Sequence, residues 1–162
     1  MGIARQSYYP FDSLCSWARM ANMVVPTGKA RVLVIDDEHI VAQTLAMIFS
    51  NAGYETRAVE SAEAALTLVE TEEWVPQFAI IDVHLPGMNG IDLAITLRAK
   101  HPQVQVCLFS GRAATSDLME AARQQGHVFE LLAKPIHPTV FLGMASSLLG
   151  DAGQSTITIP VP

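Results

Sequence analysis

The chain has 162 residues, half of them apolar and 16% charged, with a formal net charge of −6 at pH 7. That length holds one domain with a good core and is short for two, and the composition is that of a globular chain rather than a disordered one. The negative charge, with no Lys/Arg-rich stretch, argues against nucleic acid and against an anionic membrane surface as partners. No run of about 18 apolar residues is present, so no spanning helix is expected. The N-terminal stretch is interrupted by Arg19 and lacks the apolar h-region of a signal peptide. Cys15 and Cys107 match no zinc or redox spacing, and Cys107, inside the apolar run Val104 to Phe109, reads as a small buried hydrophobe. A cytoplasmic location is the default expectation.

In chain order, residues 1–28 form an extension crowded with Tyr8, Tyr9, Phe11 and Trp17. Asp12 is placed to cap a short helix with Phe11, Leu14, Ala18 and Ala21 on one side, and Pro26-Thr27-Gly28 separates it from the rest of the chain. Arg31 to Ile35 is a β-branched run that reads as a buried strand. His39 to Ala52 reads as a helix with Val41, Leu45, Ile48 and Ala52 on one face, closed by Gly53. Tyr54 to Val59 is a second strand, and Ser61 caps a helix carrying Ala62, Ala65, Leu66 and Val69 inward. Phe78 to Ile81 is the third strand, followed by a helix from Gly90 to His101 with Ile91, Ala94 and Leu97 at helical spacing. Val104 to Phe109, the helix Thr115 to Gln125 stopped by Gly126, and the strand Val128 to Ala133 continue the alternation. Pro138 opens a last helix to Leu149, and the tail 151–162 is polar, then alternating, then Pro-rich. Five strands alternating with five helices imply a parallel sheet covered on both faces, over residues 29–150.

Polar residues come directly after the apolar strands: Asp36 and Asp37 after the first, Asp82 the third, Ser110 the fourth and Lys134 the fifth. In an open parallel sheet the carboxyl ends of the strands line one crevice, so these side chains converge although the sequence scatters them. Three carboxylates gathered there repel by roughly 4 kcal/mol per pair at about 4 Å and an effective dielectric near 20. Such a cluster calls for a cation, and an all-oxygen, partly hydrated site suits Mg²⁺ rather than zinc or iron. Mg²⁺ would also neutralise phosphate oxygens, Lys134 would supply a point charge and Ser110 a hydrogen bond. One carboxylate is then the nucleophile. Asp82 is the better candidate, standing alone before the turn-forming Leu85-Pro86-Gly87, whereas Asp36 and Asp37 are adjacent and suit a shared metal.

Each of these residues has an ordinary explanation. A lone Asp after a strand is usually a turn residue or a cap, and Asp-Asp-Glu before a helix usually compensates its dipole. Ser-Gly is a common turn, and Lys-Pro by itself says little. Their joint appearance at the strand ends, in this order, is what points to phosphoryl chemistry.

At these positions the chain resembles the receiver domain of response regulators, over residues 30–149. The matching motifs are VLVIDDE at 32–38, IIDVHLPGMNG at 80–90, FSG at 109–111 and AKP at 133–135. The resemblance implies a doubly wound, flavodoxin-like sheet of order 2-1-3-4-5. It further implies that Asp82 is the phosphoacceptor, that Asp37 binds Mg²⁺ directly and Asp36 through water, and that the His84 carbonyl completes the ligands. Lys134 would contact the phosphoryl group, Pro135 would follow a cis peptide bond, and Ser110 would be the hydroxyl switch. Three residues before Lys134 the family commonly carries an aromatic ring; here the position is Leu131, and strand alternation puts Phe129 on the same side. The resemblance implies as partners a histidine kinase or histidine phosphotransfer protein and a downstream protein target.

A phosphatase of the haloacid dehalogenase type uses a similar residue set, but it places the nucleophile in a DxD motif after its first strand. Here the acidic pair comes first and Val83-His84 follows Asp82, so chain order decides against it. A receiver-like module that never carries phosphate is at odds with the intact set of five residues. The domain could instead relay or absorb phosphate between proteins, and the chain could be part of a longer one. The last helix carries more apolar residues than one stripe needs, among them Val140, Phe141, Leu142 and Leu148. The surplus either packs on the N-terminal aromatic segment or forms an interface, including a homodimer through that fifth helix.

Overall fold

An unbroken apolar run in a strand has no face to give to water, and Val32, Leu33, Val34 and Ile35 are completely buried. In the computed structural model, which describes residues 28–111 and 115–149, they belong to β1 (Arg31–Ile35). Its neighbour β3 (Phe78–Asp82) is buried along its whole length. With β2 (Glu55–Val59), β4 (Gln105–Ser110) and β5 (Glu130–Ala133) they form one parallel sheet of order β2-β1-β3-β4-β5. The helices α1 (His39–Asn51), α2 (Ala62–Glu70), α3 (Gly90–Lys100), α4 (Ser116–Gln124) and α5 (Pro138–Leu149) alternate with the strands. This is the doubly wound α/β architecture that the alternation predicts.

Successive strand residues point to opposite faces, which gives two cores. Val32, Val34, Phe78 and Ile80 pack with Phe49 of α1 and Phe141 of α5. Leu33, Ile35, Ala79 and Ile81 pack with Leu68 of α2 and Leu93 and Leu97 of α3, and Ala122 of α4 joins them. Ser61 caps α2 by accepting from Ala64 N–H at 3.1 Å. Gly53 and Gly126, at φ +99° and +86°, take the left-handed conformation that ends α1 and α4.

Several boundaries and faces differ from the sequence-based expectation. Helix α1 buries Ala42, Leu45, Ala46 and Phe49, while Val41 and Ile48 are half-buried and Ala52 is exposed. The largest side chain sets the rotation: Phe49 is fully buried and meets Tyr54 edge-on, ring centroids 5.5 Å apart. In α2, Leu68 takes the buried place expected of Leu66. Strand β5 starts at Glu130 rather than Val128. Arg98 accounts for this: it donates to Val128 O at 2.7 Å and its guanidinium lies 4.5 Å from the centroid of the Phe129 ring, which is drawn into the core. Helix α5 buries Phe141 and Ala145 and leaves Val140 and Leu148 44% and 48% exposed. The helix expected around Phe11, Leu14, Ala18 and Ala21, and the tail 151–162, lie outside the described residues.

Candidate functional site

Parallel pairing sends the carboxyl end of every strand to one edge, and the register fixes which side chains meet there. Ile35 pairs with Ile81, Asp82 with Phe109 and Ser110 with Ala133. Asp36, Asp82, Ser110 and Lys134, each the last residue of a strand or the next one, therefore stand in a row. The main chain holds that row: Lys134 N–H donates to Ser110 O at 2.8 Å and Val83 N–H to Phe109 O at 3.0 Å.

Asp36 is completely buried, Asp82 is buried and Asp37 is exposed. One carboxylate oxygen from each lies within 4.8 Å of the other two. Lys134 Nζ reaches into the group, donating to Asp82 Oδ2 at 2.6 Å and Asp36 Oδ2 at 3.0 Å, with Glu38 Oε1 at 3.9 Å. The remaining oxygens of the two buried acids take main-chain bonds: Glu38 N–H donates to Asp36 Oδ1 and His84 N–H to Asp82 Oδ1, both at 2.8 Å. Each acid thus closes a turn on the residue two places ahead, which fixes the direction of its carboxylate. Capping does not explain Asp36, since the N-cap of α1 is Glu38, whose side chain makes no capping bond.

Burial pushes the Asp36 carboxyl above its ordinary pKa, against the pull of Glu38 N–H and Lys134. Burial would lower Lys134, but its hydrogen bonds to Asp82 and Asp36 outweigh that and hold it above the ordinary lysine value. One ammonium among three aspartates and Glu38 leaves the site short of positive charge. The all-oxygen donor set fits a hard cation such as Mg²⁺.

Ser110 is buried; its Oγ accepts from Thr115 Oγ1 at 3.1 Å and lies 3.1 Å from Nδ1 of His84. The Lys134 ammonium lies 4.6 Å from the Phe109 ring centroid. Gly90 N–H donates to Val83 O at 3.0 Å, folding the loop back on β3 so closely that a Cβ on Gly90 would stand 2.0 Å from the Asp82 carbonyl oxygen. Asp37, Glu38, Asp82, His84, Gly111 and Lys134 line a polar pocket of about 270 Å³. Beside it, sharing Gly111 and Lys134, an apolar cavity of about 530 Å³ opens between α1 and α5.

All the residues singled out from the sequence, Asp36, Asp37, Asp82, His84, Ser110 and Lys134, are at this edge. Glu38, Thr115, Phe109 and the imidazole of His84 are also there and were not singled out; Glu38, the third acid of the Asp-Asp-Glu run, and Phe109, in the FSG motif, had a signal. The Lys134–Pro135 peptide bond is cis. Leu131 is 36% exposed, and Phe129, which precedes β5, is buried and stacked on His127 rather than beside it.

Fold and site together define a doubly wound α/β module with an acidic pocket at its strand ends. The response regulator receiver domain matches residues 32–145, and the chain belongs to that family. The response regulator protein FleR of Pseudomonas aeruginosa is 32% identical over 133 residues, which cover 82% of this chain and 27% of FleR. The DNA-binding response regulator MtrA of Mycolicibacterium smegmatis is 33% identical over 93 residues, 57% of this chain and 40% of MtrA. The CheY-like receiver domain protein of Methanospirillum hungatei has the same fold, with a TM-score of 0.66 at 21% identity over 76% of this chain and 97% of that one. The chain therefore spans less than half the length of these two regulators. Receiver domains are the phosphoacceptors of two-component systems and bind Mg²⁺ through an acidic pocket; Asp36, Asp37 and Asp82 form such a cluster here.

One expectation is overturned. The expectation that nucleic acid is no partner falls, because the relative MtrA is a DNA-binding response regulator. The net charge of −6 describes only the surface of these residues. It carries no information about what a regulator contacts when the matching region is 40% of its length. Among the described residues no helix is long and apolar enough to cross a membrane.

Proposed function

We propose that this domain accepts a phosphoryl group on Asp82 from a histidine kinase or histidine phosphotransfer protein. The observation that carries the reading is Lys134 Nζ held between Asp82 and Asp36, at 2.6 and 3.0 Å, on the wall of a polar pocket. A carboxylate oxygen of Asp82 attacks phosphorus; the new O–P bond forms as the P–N bond to the donor's imidazole breaks, and the electron pair leaves with that imidazole. Lys134 meets the negative charge spread over the phosphoryl oxygens, and Ser110 offers them a hydroxyl. The His84 N–H keeps the Asp82 carboxylate in its orientation throughout. Asp36, Asp37 and Asp82, with the His84 carbonyl, would hold Mg²⁺, which when bound neutralises charge on the phosphoryl oxygens. The same groups serve the return reaction, in which water takes the phosphoryl group and Asp82 leaves as the carboxylate.

The receiver unit is placed at residues 29–150, with 1–28 an extension and 151–162 a tail, a division supported by the family match over 32–145. A cytoplasmic setting belongs to the same reading. The phosphorylation state is read at the domain surface, by contact with another protein or within a regulator that also binds DNA, as MtrA does by name. Incubation with acetyl phosphate and Mg²⁺ should raise the intact mass by one phosphoryl group. A gain that survives Asp82→Ala, or that persists in EDTA, overturns the assignment.

A further inference from the structure

A serine hydroxyl has one proton to give. At Ser110 the oxygen accepts from Thr115 Oγ1 at 3.1 Å, and His84 Nδ1, also at 3.1 Å, is a neighbour placed to receive the serine's own proton. A neutral imidazole protonated on Nε2 is an acceptor at Nδ1. Neither partner is free to drift. The His84 N–H is tied to Asp82 Oδ1 at 2.8 Å, and Ser110 closes β4, where its carbonyl accepts from Lys134 N–H at 2.8 Å. Ser110 is 5% exposed, so water offers little substitute for a lost partner.

We propose that His84 is a positioning residue whose imidazole occupies the Ser110 hydroxyl proton in the unphosphorylated domain, so that the ring and a phosphoryl group on Asp82 compete for one hydrogen bond. This rests on the reading of Asp82 as the phosphoacceptor. The main chain of His84 serves that site through its N–H and carbonyl; its side chain works against it, as a latch that must be released before Ser110 turns to the phosphoryl oxygens. Thr115 strengthens the latch, because a hydroxyl that accepts one bond is a better donor in the next.

Beryllofluoride with Mg²⁺, a stand-in for the phosphoryl group, tests this by calorimetric titration. His84→Leu keeps the main chain and removes the acceptor, so it should bind beryllofluoride about two- to tenfold more tightly than the natural sequence, the worth of one hydrogen bond. His84→Ala is a second variant without the ring and should move the same way. His84→Asn, whose Oδ1 stands near the place of Nδ1, should return the affinity to its original value. In a Ser110→Ala background the gain from His84→Leu should vanish. Unchanged or weaker binding by both ring-free variants, or a gain that persists without the Ser110 hydroxyl, overturns the latch alone. If the natural sequence takes up no beryllofluoride in the presence of Mg²⁺, the phosphoacceptor reading falls and the latch with it.

Discussion

Lys134 and Asp82 are 52 positions apart in the chain, yet Nζ of the first lies 2.6 Å from Oδ2 of the second. Strand β4 runs between their strands, so the lysine stem crosses it and brings its ammonium within 4.6 Å of the Phe109 ring centroid. The same ammonium is the partner of Asp36, which has no exposure to water. Breaking a buried ion pair leaves a charge that neither solvent nor protein satisfies.

Lys134→Ala should therefore lower the stability of the metal-free protein by about 2–4 kcal/mol, below the upper range for buried pairs because 22% of the lysine side chain is exposed. Mg²⁺ should bind this variant more tightly than the natural sequence and return part of the stability, since it takes over the missing positive charge. Urea unfolding with and without Mg²⁺ checks both effects. A variant as stable as the natural protein without metal would mean that the pair contributes nothing.

Asp36→Asn should act in the opposite sense. Burial raises the pKa of Asp36 above its ordinary value, so in metal-free protein at neutral pH the ionised form is held against its preference. Its contribution to stability is fully present below the unfolded value of 3.8 and is lost as pH rises through the folded one. The amide should raise the melting temperature at neutral pH and weaken Mg²⁺ binding. A lower melting temperature would show that the bond from Lys134 outweighs burial.

Gly90 and Gly87 flank one loop and should respond unequally to alanine. At Gly90 a Cβ would stand 2.0 Å from the Asp82 carbonyl oxygen, which is main chain and cannot step aside. Gly90→Ala should cost about 3 kcal/mol or more and slow labelling by acetyl phosphate, because the residue displaced is Asp82 itself. At Gly87, φ is +73° and the nearest atom is the mobile Glu63 Oε1 at 2.8 Å, so the cost there is about 1–2 kcal/mol. Equal melting temperatures for the two variants would contradict this.

Cys107 is fully buried, and burial, aided by the charge of Glu130, pushes its thiol up to about 12. A folded pKa above the unfolded one gives stability that is complete below the ordinary value of 9.0 and lost as pH rises through about 12. In that window the natural protein should lose up to about 1.4 kcal/mol per pH unit more than Cys107→Ala. With Cys15 replaced by Ser, thiol reagents at neutral pH should label the folded protein only as fast as it opens. Rapid labelling under native conditions would show that the thiol is reachable.

Much of the fold and site was legible because the signals are local. A β-branched run reads as a strand wherever it occurs, and a parallel sheet must gather its strand ends, so Asp36, Asp82, Ser110 and Lys134 could be brought together without coordinates. The rotation of α1 was not legible, since apolar residues occupy both the Val41–Ile48 and the Ala42–Phe49 rows and only packing chooses between them. The start of β5 depends on Arg98, 30 residues before the carbonyl it holds. Trp74 is of the same kind: it donates to Glu55 Oε1 at 2.6 Å, with Arg31 and Arg57 over its ring, a contact set that no spacing announces. The bond between His84 and Ser110 likewise joins the loop after β3 to the end of β4, two places that sequence reading treats separately.

Asp36 follows the first strand and Lys134 the last, 98 residues on, and they share one hydrogen bond. A chain emerging from the ribosome carries all three aspartates long before it has the ammonium that balances them. Until β5 docks on the edge of the sheet, the acids repel and the pocket has no wall on that side. A proteolytic fragment that ends before β5 is in the same position. A donor meeting a half-made or clipped molecule would thus find Asp82 without the ammonium that faces it in the finished fold.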